Sequence, residues 1–320
     1  MHGLLRNDDV DPSSRGLPIR WASERSSSLP VGNRPLHIVS EFMHDSLIIL
    51  VLLSLLASCV GTLAGMGGAT LLVPALLLGG FEPATAAGLG LCCVAAGSLA
   101  AAPRQAADGL THHRLSILTE IGASFGAAVG VLLAARISPT VLGLLLAAVA
   151  AAAGIAALIS HGDADPEPSA VLALETPGEF PGTLSGQLQV PGGIAFYQAQ
   201  RVGLSMTLLG LAGVVSGMSG VGGGFIKVPI FTSVMKIPYR VATATSTYSI
   251  GITASAGMIL AAASGHTSAS QSAPIIVGGI LGGTTGSAIS RRVNTEVIKR
   301  FGGVLLVVVA FAVVARQVWL

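Results

Sequence analysis

Three consecutive glycines, Gly222, Gly223 and Gly224, stand just before Lys227 in the stretch SGMSGVGGGFIKVP, between the apolar flanks LSMTLLGLAGVV and IFTSVM. A charge in such surroundings is costly unless it is paired or lines a wet cavity, which makes it a functional candidate by default. Glycine reaches backbone angles that other residues avoid, so a helix can break there. The half-helix that resumes turns free N–H groups and its positive dipole end toward the gap, an arrangement that favours an anion. Lys227 reinforces that sign. Downstream, KIPYRVATATSTYSIG supplies the hydroxyls of Thr243, Thr245, Ser246, Thr247 and Ser249 on several faces of one helix. Hydroxyls bind an oxyanion without a second charge, and Thr245 and Ser246 are the foremost candidates, although hydroxyls inside membranes also tie helices together.

A shorter glycine stretch, GMGGATLLVP, contributes Gly67 and Gly68 to the candidate substrate-binding set. Glu120, in SILTEIGASF, is the one acid within an apolar segment. It is expected either to be neutral and hydrogen-bonded, as a proton-coupling carboxyl is in one of its states, or to be solvated at a membrane edge. No ligand set for a metal and no cofactor motif is read from the sequence.

These residues need elements that hold them at depth. The chain is 52% hydrophobic and 10% charged, with mean hydropathy +0.77, against roughly 25% charged residues in a soluble domain. The class is an all-α polytopic membrane protein, because only helices and closed barrels satisfy every backbone group in lipid and the apolar blocks lack barrel alternation. A net charge of +2 without a basic stripe excludes nucleic acid as a partner. Cys59, Cys92 and Cys93 all lie in apolar segments and read as small apolar residues.

Eight apolar segments fall into two sets of four: 46–79, 84–102, 115–135 and 140–160, then 202–234, 241–263, 273–289 and 297–314. Residues 1–45 are polar and expected to be disordered, and Met43 is a candidate biological start. Residues 46–160 form the first membrane repeat and 201–320 the second, joined by 161–200, an acidic, Pro- and Gly-rich stretch without Lys or Arg that reads as a water-exposed linker. The repeats are copies. Pro74 and Pro229 lie 155 residues apart, while Gly109 and Gly265, Gly122 and Gly278, Gly126 and Gly282, and Gly130 and Gly286 lie 156 apart. Glycine every fourth residue in GASFGAAVG and GGILGGTTG lets neighbouring helices approach closely. Residues 46–79, at about 1.5 Å per residue, would be far longer than a bilayer core as one helix, so the first segment of each half must be broken or re-entrant at its glycines.

At these residues the chain resembles the TauE/SafE sulfite exporter family, also called the toluene sulfonate uptake permease family. The resemblance rests on GVVSGMSGVGGGFIKVP followed by ATST, with a shorter first copy GTLAGMGGATLLVP that lacks three residues of the glycine stretch and reads AGLGLCC at the Thr-Ser position, where Gly90 stands for Ser246. It covers roughly 46–317 without the linker. It implies multi-pass residence in the cell inner membrane and ion-coupled secondary transport of small anions such as sulfite or sulfonates, with H+ or Na+ as the coupling ion. Binding carried by both copies elsewhere in the family would here rest on the second.

Two rivals remain at this stage. A passive anion channel also uses broken helices. The GMSG of 217–220 matches the short signature of rhomboid intramembrane proteases, with Ser219 as nucleophile, but no His lies mid-segment to serve as its base. A P-loop is absent from the sequence, which argues against ATP-driven transport. Charge places the loop carrying Arg291, Arg292, Lys299 and Arg300 inside and SGHTSAS outside. Whether the halves are parallel or inverted, and whether the chain is a homo-oligomer, is left open by sequence.

Overall fold

A computed structural model describes residues 47–65, 67–159, 178–190, 193–290 and 295–319. The first apolar segment runs as two helices, α1 (Leu47–Ala64) and α2 (Ala69–Leu78), followed by α3 (Pro83–Ala107), α4 (His113–Ala134) and α5 (Pro139–Ile159). Three strands come next: β1 (Gly178–Glu179), β2 (Ser185–Val190) and β3 (Gly193–Gln198). The second half repeats the helical pattern with α6 (Val202–Ser219), α7 (Gly224–Pro229) continued by a π-helical turn over Ile230–Val234, α8 (Tyr239–Ala263), α9 (Ala269–Ile289) and α10 (Thr295–Trp319). Among the described residues, α3, α4, α5, α6, α8 and α9 are long and apolar enough to cross a membrane. The all-α polytopic class is thus recovered, with six long apolar helices, shorter apolar ones, and the first segment of each half broken.

The breaks fall where left-handed backbone is needed. Gly65 and Gly67 have φ of +68° and +82°, and their counterparts Gly220 and Gly222 have +68° and +86°. Both pairs lie 155 residues apart, so the two copies align through the break without a gap. The expected three-residue shortening of the first copy is therefore wrong. The real difference is conformational: Gly223 is left-handed at φ +70°, whereas its counterpart Gly68 is right-handed at φ −63°.

Helix neighbours fix how the halves are related. Along α3 and α8, Gly88 lies against Ala261, Leu91 against Gly257 and Leu99 against Gly251, so these two copies of one helix run antiparallel. Along α4 and α6, Gly126 meets Gly210 and Gly130 meets Val214, a parallel pair; along α9 and α1, Gly278 meets Val51 and Gly282 meets Leu55, again parallel. Gly279 and Gly283 meet Cys93 and Gly97, so α9 also runs with α3. Glu120 meets Thr253, and His112 meets Thr245, so α4 runs with α8. Every one of these equivalent pairs (α1 and α6, α3 and α8, α4 and α9) is antiparallel, and the halves are inverted copies about a pseudo-two-fold axis.

The halves also exchange partners. The glycine-rich third helix of each packs on the first helix of the other, and the glycine spacing serves that contact: a Cβ on Gly126, Gly130, Gly278 or Gly282 would overlap a main-chain oxygen of the neighbouring helix. Because α1 and α3 are parallel, α2 must lead the chain back between them, which is the re-entrant form of the first segment. The end of the bundle where α3 stops and α4, α6 and α8 start then carries Arg104, Arg114, Arg201, Lys236 and Arg240, while the turn between α4 and α5 carries Arg136.

The linker expectation needs correction. Residues 178–190 and 193–198, read from composition as water-exposed, form an antiparallel sheet with Glu179 opposite Gly186 and Gln187 opposite Phe196. Leu188, Val190, Ala195 and Tyr197 are buried in one cluster with Leu115, Leu209, Phe231, Met235 and Val241. Alternation in SGQLQV and GIAFYQ gives one apolar face, which covers the starts of α4 and α8. The expectations for residues 1–45, for Met43 and for 160–177 fall outside the described residues.

Candidate functional site

Lys227 and Glu120 meet. Lys227 is 1% exposed and Glu120 4%, and the Lys227 Nζ stands 2.9 Å from Glu120 Oε2. The same ammonium donates to Thr253 Oγ1 at 2.9 Å and Ser249 Oγ at 3.3 Å. Glu120 Oε1 in turn accepts from Thr253 Oγ1 and, at 3.4 Å, from Ser124 Oγ. Three elements build this cluster: α4 brings Glu120, the short α7 brings Lys227, and α8 brings Ser249 and Thr253, four residues apart on one face. Glu120 is buried and hydrogen-bonded, not at a solvated edge, and its partner is a lysine 107 residues away that neither expectation included. The three donors of an ammonium are all in use.

The breaks lie beside this cluster and against each other. A Cβ on Gly67 would stand 3.6 Å from Val221 O and 3.6 Å from Val94, and one on Gly222 would stand 2.8 Å from Val94 and 3.3 Å from Ile250, the residue after Ser249. Val94 and Ile250 are counterparts on α3 and α8. The two breaks therefore meet back to back at the pseudo-two-fold axis. Gly65, Gly67, Gly68 and Gly220 to Gly224 are all buried, so this is a closed form.

The remaining candidate residues divide. Gly68 is a packing residue, since a Cβ there would stand 2.5 Å from Ser58 Cα. Gly223 and Gly224 open α7, and a Cβ on Gly223 would stand 3.3 Å from Ser216 Oγ. Thr245 Oγ1 accepts from the His112 amide at 3.0 Å and so has a structural bond. The buried hydroxyls of Ser246 and Ser216, by contrast, have no hydrogen-bond partner among the described residues. Ser219 Oγ bonds main-chain groups only, Ser216 O at 3.5 Å and Val221 N at 3.4 Å.

The charged pair is confined to one copy. At the inverted positions the first break has Leu72 for Lys227, Ile276 for Glu120, Leu89 and Gly90 for Thr245 and Ser246, Cys93 and Gly97 for Ser249 and Thr253, and Gly61 for Ser216. Packing closes that side. A Cβ on Gly61 would stand 2.5 Å from the backbone of Gly67 and Gly68, and one on Gly90 would stand 2.6 Å from Gly220 O. The fold is two-fold; the chemistry is single.

A second cluster was missed by sequence reasoning. His112 is fully buried and Glu179, on β1, is partly so; His112 Nδ1 lies 2.9 Å from Glu179 Oε2 and His113 Nδ1 lies 3.7 Å from Oε1. Glu179 also accepts from the Arg114 amide at 3.2 Å. His112 caps α4, where its Nδ1 is 3.2 Å from Leu115 N. Neutral, that nitrogen accepts from the amide; protonated, it donates to the carboxylate. Burial holds the imidazole below its ordinary pKa, and the Glu179 carboxylate offsets only part of that. The available signal was HHR at a helix start following a Gly-containing loop, but its partner lay in a stretch read as linker.

Residues 50–313 match the family described as Sulfite exporter TauE/SafE. The chain is also similar to a probable membrane transporter protein, YunE, of Bacillus subtilis (strain 168), at 24% identity over 276 residues, covering 82% of this chain and 96% of that protein. No solved structure matches.

Proposed function

The chain belongs to the sulfite exporter TauE/SafE family, and from that premise we propose that it is a secondary transporter of small anions, with sulfite and sulfonates as the substrate class and a proton as the coupling ion. The observation that carries this reading is Lys227, the one buried lysine or arginine among the described residues, one turn beyond a broken helix where two inverted halves meet. Broken backbone is tolerated at membrane depth where it serves a cavity, and inverted repeats let one site face either side in turn by exchanging their conformations. In this reading Lys227 supplies the charge, the unpartnered hydroxyl of Ser246 supplies a further donor, Thr245 and the glycines Gly67, Gly68, Gly222, Gly223 and Gly224 shape the backbone around the anion, and Glu120 carries the proton.

The positive-inside rule puts the sheet end, with Arg104, Arg114, Lys236 and Arg240, in the cytoplasm. The three-stranded sheet then lies inside with them. The protease reading finds no support at Ser219, whose partners are main-chain groups.

Uptake into proteoliposomes tests this. Sulfite, sulfonates, thiosulfate and simple carboxylates are offered with and without a pH difference. Accumulation of one or more sulfur oxyanions against their gradient, driven by the pH difference, is expected. Flux that only equilibrates would make the chain a channel, and no flux for any anion would remove the reading.

A further inference from the structure

Lys227 has no donor left for a substrate. Its ammonium is spent on Glu120, Ser249 and Thr253, and the pair is enclosed between α4, α7 and α8. An arriving anion must displace one of these ligands, and Glu120 is the charged one. The enclosure holds one positive and one negative charge. Adding an anion to that set would leave a net negative charge in a low-dielectric site, a cost that taking up one proton cancels.

We propose that the Glu120 carboxylate occupies the substrate's own place in this closed form. A monoanionic oxyanion takes over Lys227, Ser249 and Thr253 when Glu120 accepts a proton, so that each anion is bound together with one proton. This rests on the transporter reading above and adds its stoichiometry and ligand charge. The carboxylate already shows the shape that fits: two oxygens, one facing the ammonium and one facing hydroxyls, as a sulfonate, hydrogensulfite or carboxylate presents. Protonated Glu120 keeps Ser124 and Thr253 as neutral hydrogen-bond partners within reach. A dianion would restore the charge imbalance that the proton removes, so the site selects single charge. The inverted copy offers no second site, since Leu72 and Ile276 stand where the charges would be.

The titratable surroundings of Glu120 are few. The helix α6, packed along α4, contains none, and α7 brings Lys227 alone. On α8 the ionisable residues are Tyr239, Arg240 and Tyr248, the last stacked edge-on against His113 at 5.4 Å. On α4 itself His113 and Arg114 lie in the first turn, facing Glu179 of the sheet.

Binding of benzenesulfonate, which has no proton of its own to titrate, is measured by calorimetry on the purified full chain in detergent, in buffers of different ionisation heat. The wild type is expected to take up about one proton per anion and to bind about tenfold more weakly for each unit of rising pH once Glu120 is ionised. Glu120→Gln is expected to bind with no proton uptake and no such pH dependence. Wild-type binding that persists without proton uptake and is flat with pH would overturn the proposal while leaving the transporter reading standing. The wild-type buffer comparison decides this even if the variant fails to fold. Absence of saturable binding and of flux for any anion would instead remove the transporter reading beneath it.

Discussion

Gly220 and Ala87 touch main chain to main chain: with Gly220 at φ +68°, any Cβ on it would overlap the carbonyl oxygen of Ala87 on α3. Its inverted counterpart, Gly65, has the same φ but faces the side chain of Thr243, where an added Cβ would stand 2.9 Å from Cγ2. The second break is thus locked against backbone, and the first less tightly, against the Cγ2 and Cβ of Thr243.

Gly220→Ala should therefore destabilise the fold more than Gly65→Ala. Both take on the left-handed penalty of about 1 kcal/mol, and Gly220→Ala adds an overlap that no rotamer relieves. Gly265→Ala, at φ +75° with nothing within 4 Å, isolates the conformational penalty alone. Thermal unfolding in detergent should rank the midpoints Gly265→Ala highest, then Gly65→Ala, then Gly220→Ala. Equal midpoints for the last two would contradict the packing described.

The seam between α4 and α6 makes a sharper comparison on one helix. Gly126→Ala would drive a methyl into Gly210 O, while Gly122→Ala would place its methyl 3.6 Å from Met206 O, an ordinary contact. Gly126→Ala should lose about 1–3 kcal/mol, and Gly122→Ala little. Size-exclusion profiles and melting midpoints of the two proteins check it.

Thr245 and Ser246 are adjacent and should separate cleanly. Thr245→Val strands the His112 amide, a loss of about 1–3 kcal/mol visible as a lower melting midpoint. Ser246→Ala removes a hydroxyl that has no partner, so stability should hold while affinity for a sulfonate falls. A stable Thr245→Val, or Ser246→Ala with unchanged affinity, would reverse these assignments.

The His112 cap gives the fold a pH dependence of known sign. The unfolded chain protonates this residue near 6.5, the folded one at lower pH because burial disfavours the charge. Between those values the unfolded state binds more protons, so stability falls as pH drops through 6.5 and levels off below the folded value. His112→Asn keeps a capping acceptor for Leu115 without that titration. From about pH 7.5 to about pH 5.5 its melting midpoint should fall less than that of the wild type. Parallel slopes would show that His112 does not contribute.

Much of this was legible in the residues. The helical class, the duplication and the broken first segments follow from apolar length, the constant offset and glycine placement, because those are local properties of the chain. Gly126 and Gly282 were read as packing residues, and each sits against a main-chain oxygen. What could not be read was pairing at a distance. Nothing near Glu120 or Lys227 in sequence tells that they meet, and the direction of α2 relative to α1 decides inversion only once α9 and α3 are seen to run with α1. The sheet was missed because Glu179 and its neighbours have the composition of a linker, while its apolar face is only a few alternating residues long.

The central claim, one anion site beside Lys227 in the second half, is tested most directly by counterflow of labelled methanesulfonate in proteoliposomes. The comparison is between the wild type and the double variant Lys227→Met with Glu120→Gln, which removes both buried charges and so avoids leaving either unpaired. The wild type should exchange the labelled anion, and the folded double variant should not. Exchange by the double variant at the wild-type rate would contradict the site and the mechanism built on it.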